Sequence, residues 1–370
     1  GDALKQQGSF DLTDSLTKLS PALSTQRYPI ADGTAFIRPV ALRNLAPDQT
    51  LVLVNGTRRH RSALVNLQLS PIGTINQGTQ AVDFSAIPSS AVKRVEILRD
   101  GASAQYGSDA IAGVVNVILN DANEGYSISA QYGEYSEGDG ERLIVSANAG
   151  FALGSQGFLN VSLETSQYDI TTRGNPREDA QAVAAEVGAD KVEYNGFGQR
   201  WGDPDTDDIK LFFNTAYEIN DSVELFSNLS YMEKEVLSGF FYRTPVGVDG
   251  IGPRSTLRTV DGGTENNALF ADQALVDEIV ADGLNVDDYL VANGASPSGY
   301  ELTNAIADQF PGGYSPKFGA DITDYSFIFG GRGNINSNLT YDARMRMAEN
   351  EVEYTLKGSI NPSLGRLSPT

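Results

Sequence analysis

From Gly125 onward apolar and polar residues alternate with a period of two, and this alternation restricts the chain more than any other feature. Tyr126, Ile128, Ala130 and Tyr132 share one face, opposed by Ser127, Ser129, Gln131 and Gly133. Leu159, Val161, Leu163 and Thr165 oppose Asn160, Ser162, Glu164 and Ser166, and Leu339, Tyr341, Ala343, Met345 and Met347 oppose Thr340, Asp342, Arg344 and Arg346. The same pattern recurs near residues 142–151, 209–218, 224–231 and 325–332. A period of two with one apolar face specifies a strand covered on one side. Seven such segments therefore predict an antiparallel sheet, with Phe212 and Phe226 as exceptions on the polar side.

The connections alternate in length. Gly154–Gly157, Asn220–Asp221 and Asn336–Asn338 read as tight turns. The opposite side carries a short link at Glu137–Gly140 and long loops near 171–206 and 237–322. This is the connectivity of outer-membrane barrels, and Tyr126, Tyr132, Phe151, Tyr168, Tyr217, Tyr231 and Tyr325 stand where interfacial aromatic girdles would lie. A soluble antiparallel sandwich alternates too and buries aromatic residues. The pattern alone leaves both open. They differ in one respect: a barrel turns its apolar face outward to lipid, a sandwich turns it inward.

Charge and composition exclude several classes. The formal net charge is −21, from 27 basic and 48 acidic residues, so nucleic acid is not an expected partner. Disulfides, thiolate metal sites and cysteine nucleophiles are excluded because there is no cysteine. A single histidine, His60, rules out a multi-histidine metal site. A serine triad would also have to use His60, which sits among arginines with no acidic residue beside it in sequence. The segment Gly101–Gly107 lacks the Gly-Lys-Ser/Thr ending of a phosphate loop. The acidic loops around Asp203, Asp205, Asp207 and Asp208, and around Asp282, Asp287 and Asp288, lack the spacing of a calcium loop. Hence no catalytic residues, metal or cofactor are expected, and the chain does not read as an enzyme. An aromatic group at Phe240, Phe241 and Tyr242 offers either ring stacking for a ligand or packing. Residues 272–293 are spaced for a short helical pair broken at Gly283.

The amino-terminal third is different. Leu12, Leu16 and Leu19 fall on one face of a short helix, with Ser9 or Asp11 as cap and Pro21 past its end. A first strand is expected near Ala35–Arg38. Leu51–Val54 reads as a buried strand ending in an Asn55-Gly56 turn. Residues 92–119 read as strand, glycine-rich turn, strand, completing a small mixed sheet with helices.

Two stretches say more. RVEILRDGASAQYGSDAIAGVVNV (residues 94–117) resembles the closing motif of the plug domain in TonB-dependent outer-membrane receptors, and so does the preceding TLVLVNGTRRH (Thr50–His60). The resemblance covers Asp2 to about Asn120. It implies an α+β plug domain over residues 1–122, followed over 123–370 by antiparallel transmembrane β-barrel strands. Seven strands leave the barrel incomplete, because single-chain barrels close with an even number and an open edge cannot sit in lipid. The chain is thus expected to be a fragment lacking the start of the plug and about two-thirds of a barrel of roughly 22 strands.

The implied function is energy-dependent uptake, across the bacterial outer membrane, of a scarce bulky nutrient such as a ferric siderophore, a vitamin or an oligosaccharide. The implied partners are that small-molecule or oligosaccharide ligand, outer-membrane lipid, and the TonB energy-transducing complex, reached through a segment preceding the plug. The alternative is a soluble secreted or periplasmic ligand-binding sandwich. By the same resemblance Arg43 and Arg99 match plug arginines that pair with barrel glutamates. Asn44 and Asp100 replace the family's glycines beside them, and both tolerate left-handed backbone angles. The cluster Arg58, Arg59, His60 and Arg61 is a candidate contact with the barrel wall or with an anionic ligand.

Overall fold

The computed structural model describes residues 11–25, 33–66, 78–99, 102–245, 256–258, 264–266, 270–302, 310–361, 364 and 367–368. Asp100 and Ser9 lie outside them. The chain forms two compact units: residues 1–171, 203–238 and 319–355 make one, and 172–202, 239–318 and 356–370 the other.

In the first unit, helix α1 (Leu12–Leu19) is capped by Asp11, whose carboxylate accepts from the Asp14 N–H at 2.7 Å. It buries Leu12 and Leu16, while Leu19 is exposed. Strand β1 (Leu23–Ser24) pairs antiparallel with β2 (Ala41–Leu42). The strand expected near Ala35–Arg38 is instead a single 3-10 turn at Thr34–Phe36, and extended pairing begins only beyond Pro39. Proline donates no N–H to a ladder and restricts the residue before it, so pairing is delayed past it.

Strands β3 (Thr50–Val54), β4 (Thr57–Arg58), β5 (Val92–Leu98) and, after helix α2 (Ala102–Tyr106), β6 (Gly113–Leu119) form the mixed sheet. Its order is β4-β3-β6-β5, with β3 parallel to β6 and the other pairs antiparallel. The Asn-Gly turn forms as expected, with Asn55 at φ 47° and Gly56 at φ 73°. The link from β5 to β6 is more than a glycine-rich turn: α2 and a 3-10 turn at Ser108–Ala110 occupy it. Val52, Val54, Val115 and Val117 pack on one face with Leu12, Leu16 and Phe84, and Leu51, Leu53 and Val114 pack on the other with Ala110. Burial on both faces explains why β3 and β6 read as unbroken apolar runs.

The chain then enters β7 (Tyr126–Gly133), β8 (Arg142–Leu153), β9 (Gly157–Tyr168), β10 (Asp205–Asn220) and β11 (Val223–Gly239). The second unit contains α3 (Glu178–Val187), the strand pair β12 (Thr256–Arg258) and β13 (Thr264–Asn266), α4 (Gln273–Ala281), and the pair β14 (Leu290–Ala292) and β15 (Tyr300–Leu302). Of the expected helical pair only α4 forms. Past Gly283 the chain makes one 3-10 turn and then β14, because Leu290 joins Leu275, Val276, Ile279 and Leu302 in a local core that a paired strand closes. Tyr242 is buried, its hydroxyl donating to the Gly312 carbonyl at 2.6 Å, so this ring packs rather than offering a stacking surface.

Strands β16 (Lys317–Asn336) and β17 (Leu339–Lys357) complete a seven-stranded sheet of order β17-β16-β11-β10-β9-β8-β7. The pairs β7–β8, β8–β9, β9–β10 and β10–β11 are antiparallel, and among the described residues the sheet is not closed: β7 and β17 are its edges. All seven expected strands are present, six of them with longer spans than the alternation marks and β7 with the same span. No helix among the described residues is long and apolar enough to cross a membrane.

The two faces of this sheet are inverted relative to a soluble protein. On β9 the apolar Leu163 is 44% exposed, while its neighbours Ser162 and Glu164 are 1% and 5% exposed. Across strands the outer row Ala149, Val161, Phe213 and Leu229 is apolar, and the inner row Ser146, Glu164, Lys210 and Met232 is mixed and polar. The inner face lies against the amino-terminal domain. Phe212, an exception in the pattern, sits on this face and joins the core around Leu12, Val52 and Val115.

Gly113 opens β6 at φ 138°, and a Cβ there would lie 2.4 Å from the Leu98 carbonyl oxygen and 2.5 Å from Leu42 Cδ2. Gly113→Ala should therefore destabilise the amino-terminal domain by at least about 1–3 kcal/mol through overpacking and backbone strain, read as a lower denaturation midpoint in urea.

Candidate functional site

The site is the contact between the amino-terminal domain and the inner face of the sheet, and it is built from hydrogen bonds. Lys234 on β11 points inward and is nearly inaccessible. Its ammonium donates to the Phe36 carbonyl at 2.6 Å, to Ser85 Oγ at 2.6 Å and to Asp83 Oδ2 at 3.0 Å. All three acceptors belong to the amino-terminal domain. Asp83 is prepared for this: its other oxygen accepts from the Arg38 and Ser85 N–H groups, both at 2.9 Å. Burial pushes the Asp83 carboxyl up, but Lys234 and these hydrogen bonds outweigh burial and hold it below the usual carboxylate range.

A second clamp has the opposite polarity. Here the domain supplies the cation. Arg59, just past β4, donates to Asp324 on β16 and to Ser230 Oγ on β11, the latter at 2.6 Å. His60 Nε2 lies 2.7 Å from the other oxygen of Asp324, which also accepts from Asn350 Nδ2 at 2.9 Å. Asn350 Oδ1 in turn accepts from the Ala63 N–H at 2.6 Å and from Ser62 Oγ at 3.1 Å. Both Arg59 and Asp324 have side chains only 5% exposed.

Asparagines make the third contact. The left-handed Asn55 of the hairpin accepts from the Leu119 N–H at 2.9 Å and donates to Asn214 Oδ1 on β10 at 3.1 Å. Asn214 donates to the Asn120 carbonyl at 2.9 Å, and Asn120 Nδ2 donates to Asn148 on β8 at 3.1 Å. Where the chain leaves the domain it passes so close to β8 that a Cβ on Gly150 would stand 2.4 Å from the Ala122 carbonyl oxygen. One inner-face cation needs no help from the domain: Lys210 binds Glu164 at 3.0 Å and Asp208 at 3.1 Å, its neighbours within the sheet.

The residues singled out from sequence divide as follows. Arg59 and His60 reach the sheet. Arg58 turns back to Asp109 and the Tyr106 carbonyl, while its own carbonyl accepts from Arg346 on β17. Arg61 donates to the Asp48 carbonyl at 3.2 Å. Arg43 and Arg99 lie together: Arg43 Nη1 donates to the Arg99 carbonyl at 2.9 Å, and Arg99 Nη2 to Ser20 Oγ at 3.3 Å. Arg43 and Asn44 both take left-handed angles, φ 58° and 59°. Of the acidic loop residues, Asp203 pairs with Arg142 at 3.2 Å, Asp205 accepts from the Ile170 N–H at 2.5 Å, and Asp208 binds Ser166 and Lys210. Sequence reasoning missed Asp83, Lys234, Asp324 and Asn350. The available signal was charge on the inward face of the alternation, at Lys210, Lys234 and Asp324.

Residues 1–114 match the family model described as "TonB-dependent Receptor Plug Domain". Among curated relatives, a vitamin B12 transporter of Vibrio cholerae is 31% identical over 166 residues, which is 44% of this chain and 23% of the relative. One from Vibrio vulnificus is 27% identical over 265 residues, 67% of this chain and 39% of the relative. The chain thus spans about a quarter of the length of the first curated relatives it matches. Similar solved structures include a ferric enterobactin receptor variant from Pseudomonas aeruginosa, with 14% identity, TM-score 0.47 and coverage of 92% of this chain and 44% of that one. The ferric preacinetobactin receptor from Acinetobacter baumannii has 12% identity, TM-score 0.48 and coverage of 96% and 47%.

Removing one partner of the Lys234–Asp83 pair strands a buried charge, so Lys234→Met and Asp83→Asn should each cost about 3–5 kcal/mol. The double variant should cost less than the sum, a coupling that a double-mutant cycle in denaturant measures. The pH sign follows from the depressed Asp83 carboxyl. Its stabilisation is fully present above the ordinary carboxylate pKa of about 3.9 and is lost as pH falls through the lower folded value. Melting temperature followed from pH 6 to pH 2 should fall more steeply in the wild type than in Asp83→Asn.

Proposed function

We propose that this chain, whose residues 1–114 are a TonB-dependent receptor plug domain, forms the plug and the wall strands next to it in an outer-membrane receptor that imports a scarce, bulky nutrient under the drive of TonB. Within that reading the plug ends and the barrel begins at 122/123, between β6 and β7. Vitamin B12 and ferric siderophores are the nutrient classes that the similar proteins suggest.

The observation that carries the reading is the inverted sheet. An apolar outer row beside a polar inner row is stable where lipid covers the outside and protein fills the inside. A soluble sandwich would bury the apolar row, so the alternative of a soluble binding protein is not favoured. Tethering by hydrogen bonds also suits a plug that has to move. A charge-assisted hydrogen bond exchanged for water costs about 1.5–3 kcal/mol net when both partners gain water together, less than stranding one partner in a dry interior. Lys234, Asp83, Arg59 and Asp324 are therefore the contacts a pull on the plug must release. Arg43 and Arg99 are the plug's candidates for acidic partners on further wall strands. His60 Nε2 is engaged by the wall carboxylate of Asp324, and its Nδ1 meets no hydroxyl or other partner among the described residues, so no nucleophile is paired with it and we read its role as docking.

The test uses the full-length gene product. It should fractionate with outer membrane, shift on a denaturing gel when boiled, and support uptake of labelled cyanocobalamin or a ferric siderophore that stops when TonB is deleted. A soluble product with no heat shift sinks the receptor reading. The lipid face has its own check. Leu163→Arg should cost about 2–4 kcal/mol in refolding into vesicles if this position lies near the bilayer midplane, and an unchanged refolding free energy would place Leu163 outside lipid.

A further inference from the structure

The two long loops, near 171–206 and 237–322, share one core within the second compact unit. Tyr242, just past β11, is 1% exposed. It clusters with Ala180 and Val192, and Val183, Ala184 and Val187 pack against the same group. Among the described residues Tyr242 is therefore the second loop's one member of an apolar core that the first loop supplies. Its polar atoms reach in two directions. The Tyr242 N–H donates to Gln199 Oε1 at 3.2 Å, an oxygen that also accepts from Arg177 Nη1 at 3.3 Å. The hydroxyl donates to the Gly312 carbonyl at 2.6 Å. One side chain thus joins the first loop, the start of the second and its return toward β16.

Further contacts close the same joint. Ser315 Oγ donates to the Gly198 carbonyl. Gly312 comes so near the first loop that a Cβ on it would stand 1.8 Å from the Lys191 carbonyl oxygen. Arg243 and Tyr314 exchange both backbone hydrogen bonds, at 2.8 and 3.1 Å. A buried hydroxyl that loses its acceptor keeps its desolvation cost, and a ring withdrawn from a close-packed group leaves a void. Lifting either loop alone would do both, because each holds part of what surrounds Tyr242. By contrast, the α4–β14–β15 insertion of the second loop has a separate core around Leu275, Ile279, Leu290 and Leu302.

We propose that the two long loops open and close as one cooperative body, with Tyr242 as the positioning residue that holds them in a single arrangement. The use of this coupling rests on the receptor reading: in a receptor these loops face the nutrient, so a rearrangement started at one of them reaches the other. Coupling of this kind is reciprocal, and what loosens either loop loosens both.

Amide hydrogen exchange, read by mass spectrometry on the purified full-length protein in detergent, tests it, because exchange reports opening segment by segment. Tyr242→Ala should speed exchange about tenfold or more both in residues 192–199 and in residues 310–316, with α4, β8 and β9 unchanged. Tyr242→Phe keeps the ring and loses one hydrogen bond, and it should fall between wild type and Tyr242→Ala in both segments together. Gly198→Ala perturbs the first loop alone, since its Cβ would stand 2.6 Å from Ala180 Cβ at φ 80°, and it should speed exchange in 310–316 as well. Faster exchange confined to one loop overturns the coupling. If Tyr242→Ala also deprotects β8 and β9, the other two variants decide by the same criterion. Heat-modifiable migration of the same samples reports the receptor fold independently. Coupled loops without a heat shift overturn the receptor reading alone, and a heat shift with uncoupled loops overturns the coupling alone.

Discussion

A sheet that turns its apolar side chains outward leaves its polar ones facing in, and a buried polar face has to find partners. The tethering of the amino-terminal domain to the sheet follows from that requirement. Part of the inner face solves it alone, as Lys210 does with Glu164 and Asp208 on adjoining strand positions. Lys234 cannot: its ammonium donates to Phe36, Asp83 and Ser85, all on the amino-terminal domain. Asp324 likewise draws on Arg59 and His60 as well as on Asn350 within the sheet. Domain and sheet therefore complete each other's hydrogen bonding, which is why they cluster as one compact unit although their sequences have different periods.

The two charged clamps run in opposite directions, the sheet giving a cation to Asp83 and a carboxylate to Arg59. Such an alternation fixes orientation, since turning or sliding the domain would oppose like charges in a poorly screened interior. Phe212 adds a single apolar key to this polar lock, entering the core beside Val52 and Val115. The other exception in the alternation, Phe226, has a separate use. Arg332 and Arg344 both stand over its ring at 5.3 Å, a pair of cation–π contacts near the tight-turn end of the sheet.

The hairpin after β3 shows how one local feature serves several levels. Asn55 and Gly56 adopt the positive φ angles that a two-residue turn requires. The same Asn55 side chain then closes the turn onto β6 and ties it to Asn214 on the sheet. Directly beyond the turn come Arg58 to Arg61, so the turn also sets where the basic cluster stands.

The sequence by itself determined the seven strands, the tight turns between them, the Asn-Gly hairpin and the buried strand that precedes it, because these depend on local periodicity and on backbone angles that few residues tolerate. It also placed the basic cluster against either a wall or a ligand. It could not decide between lipid outside and core inside, since alternation marks two faces without saying which solvent each one meets. Nor did it identify Asp83, Lys234 or Asp324 as partners: Lys234 and Asp83 are 151 residues apart, and Asp324 lies 265 residues from Arg59. Only the tertiary structure decided those, because a buried charge is satisfied by whatever group the fold carries to within about 3 Å of it, and that distance in space has no counterpart along the chain.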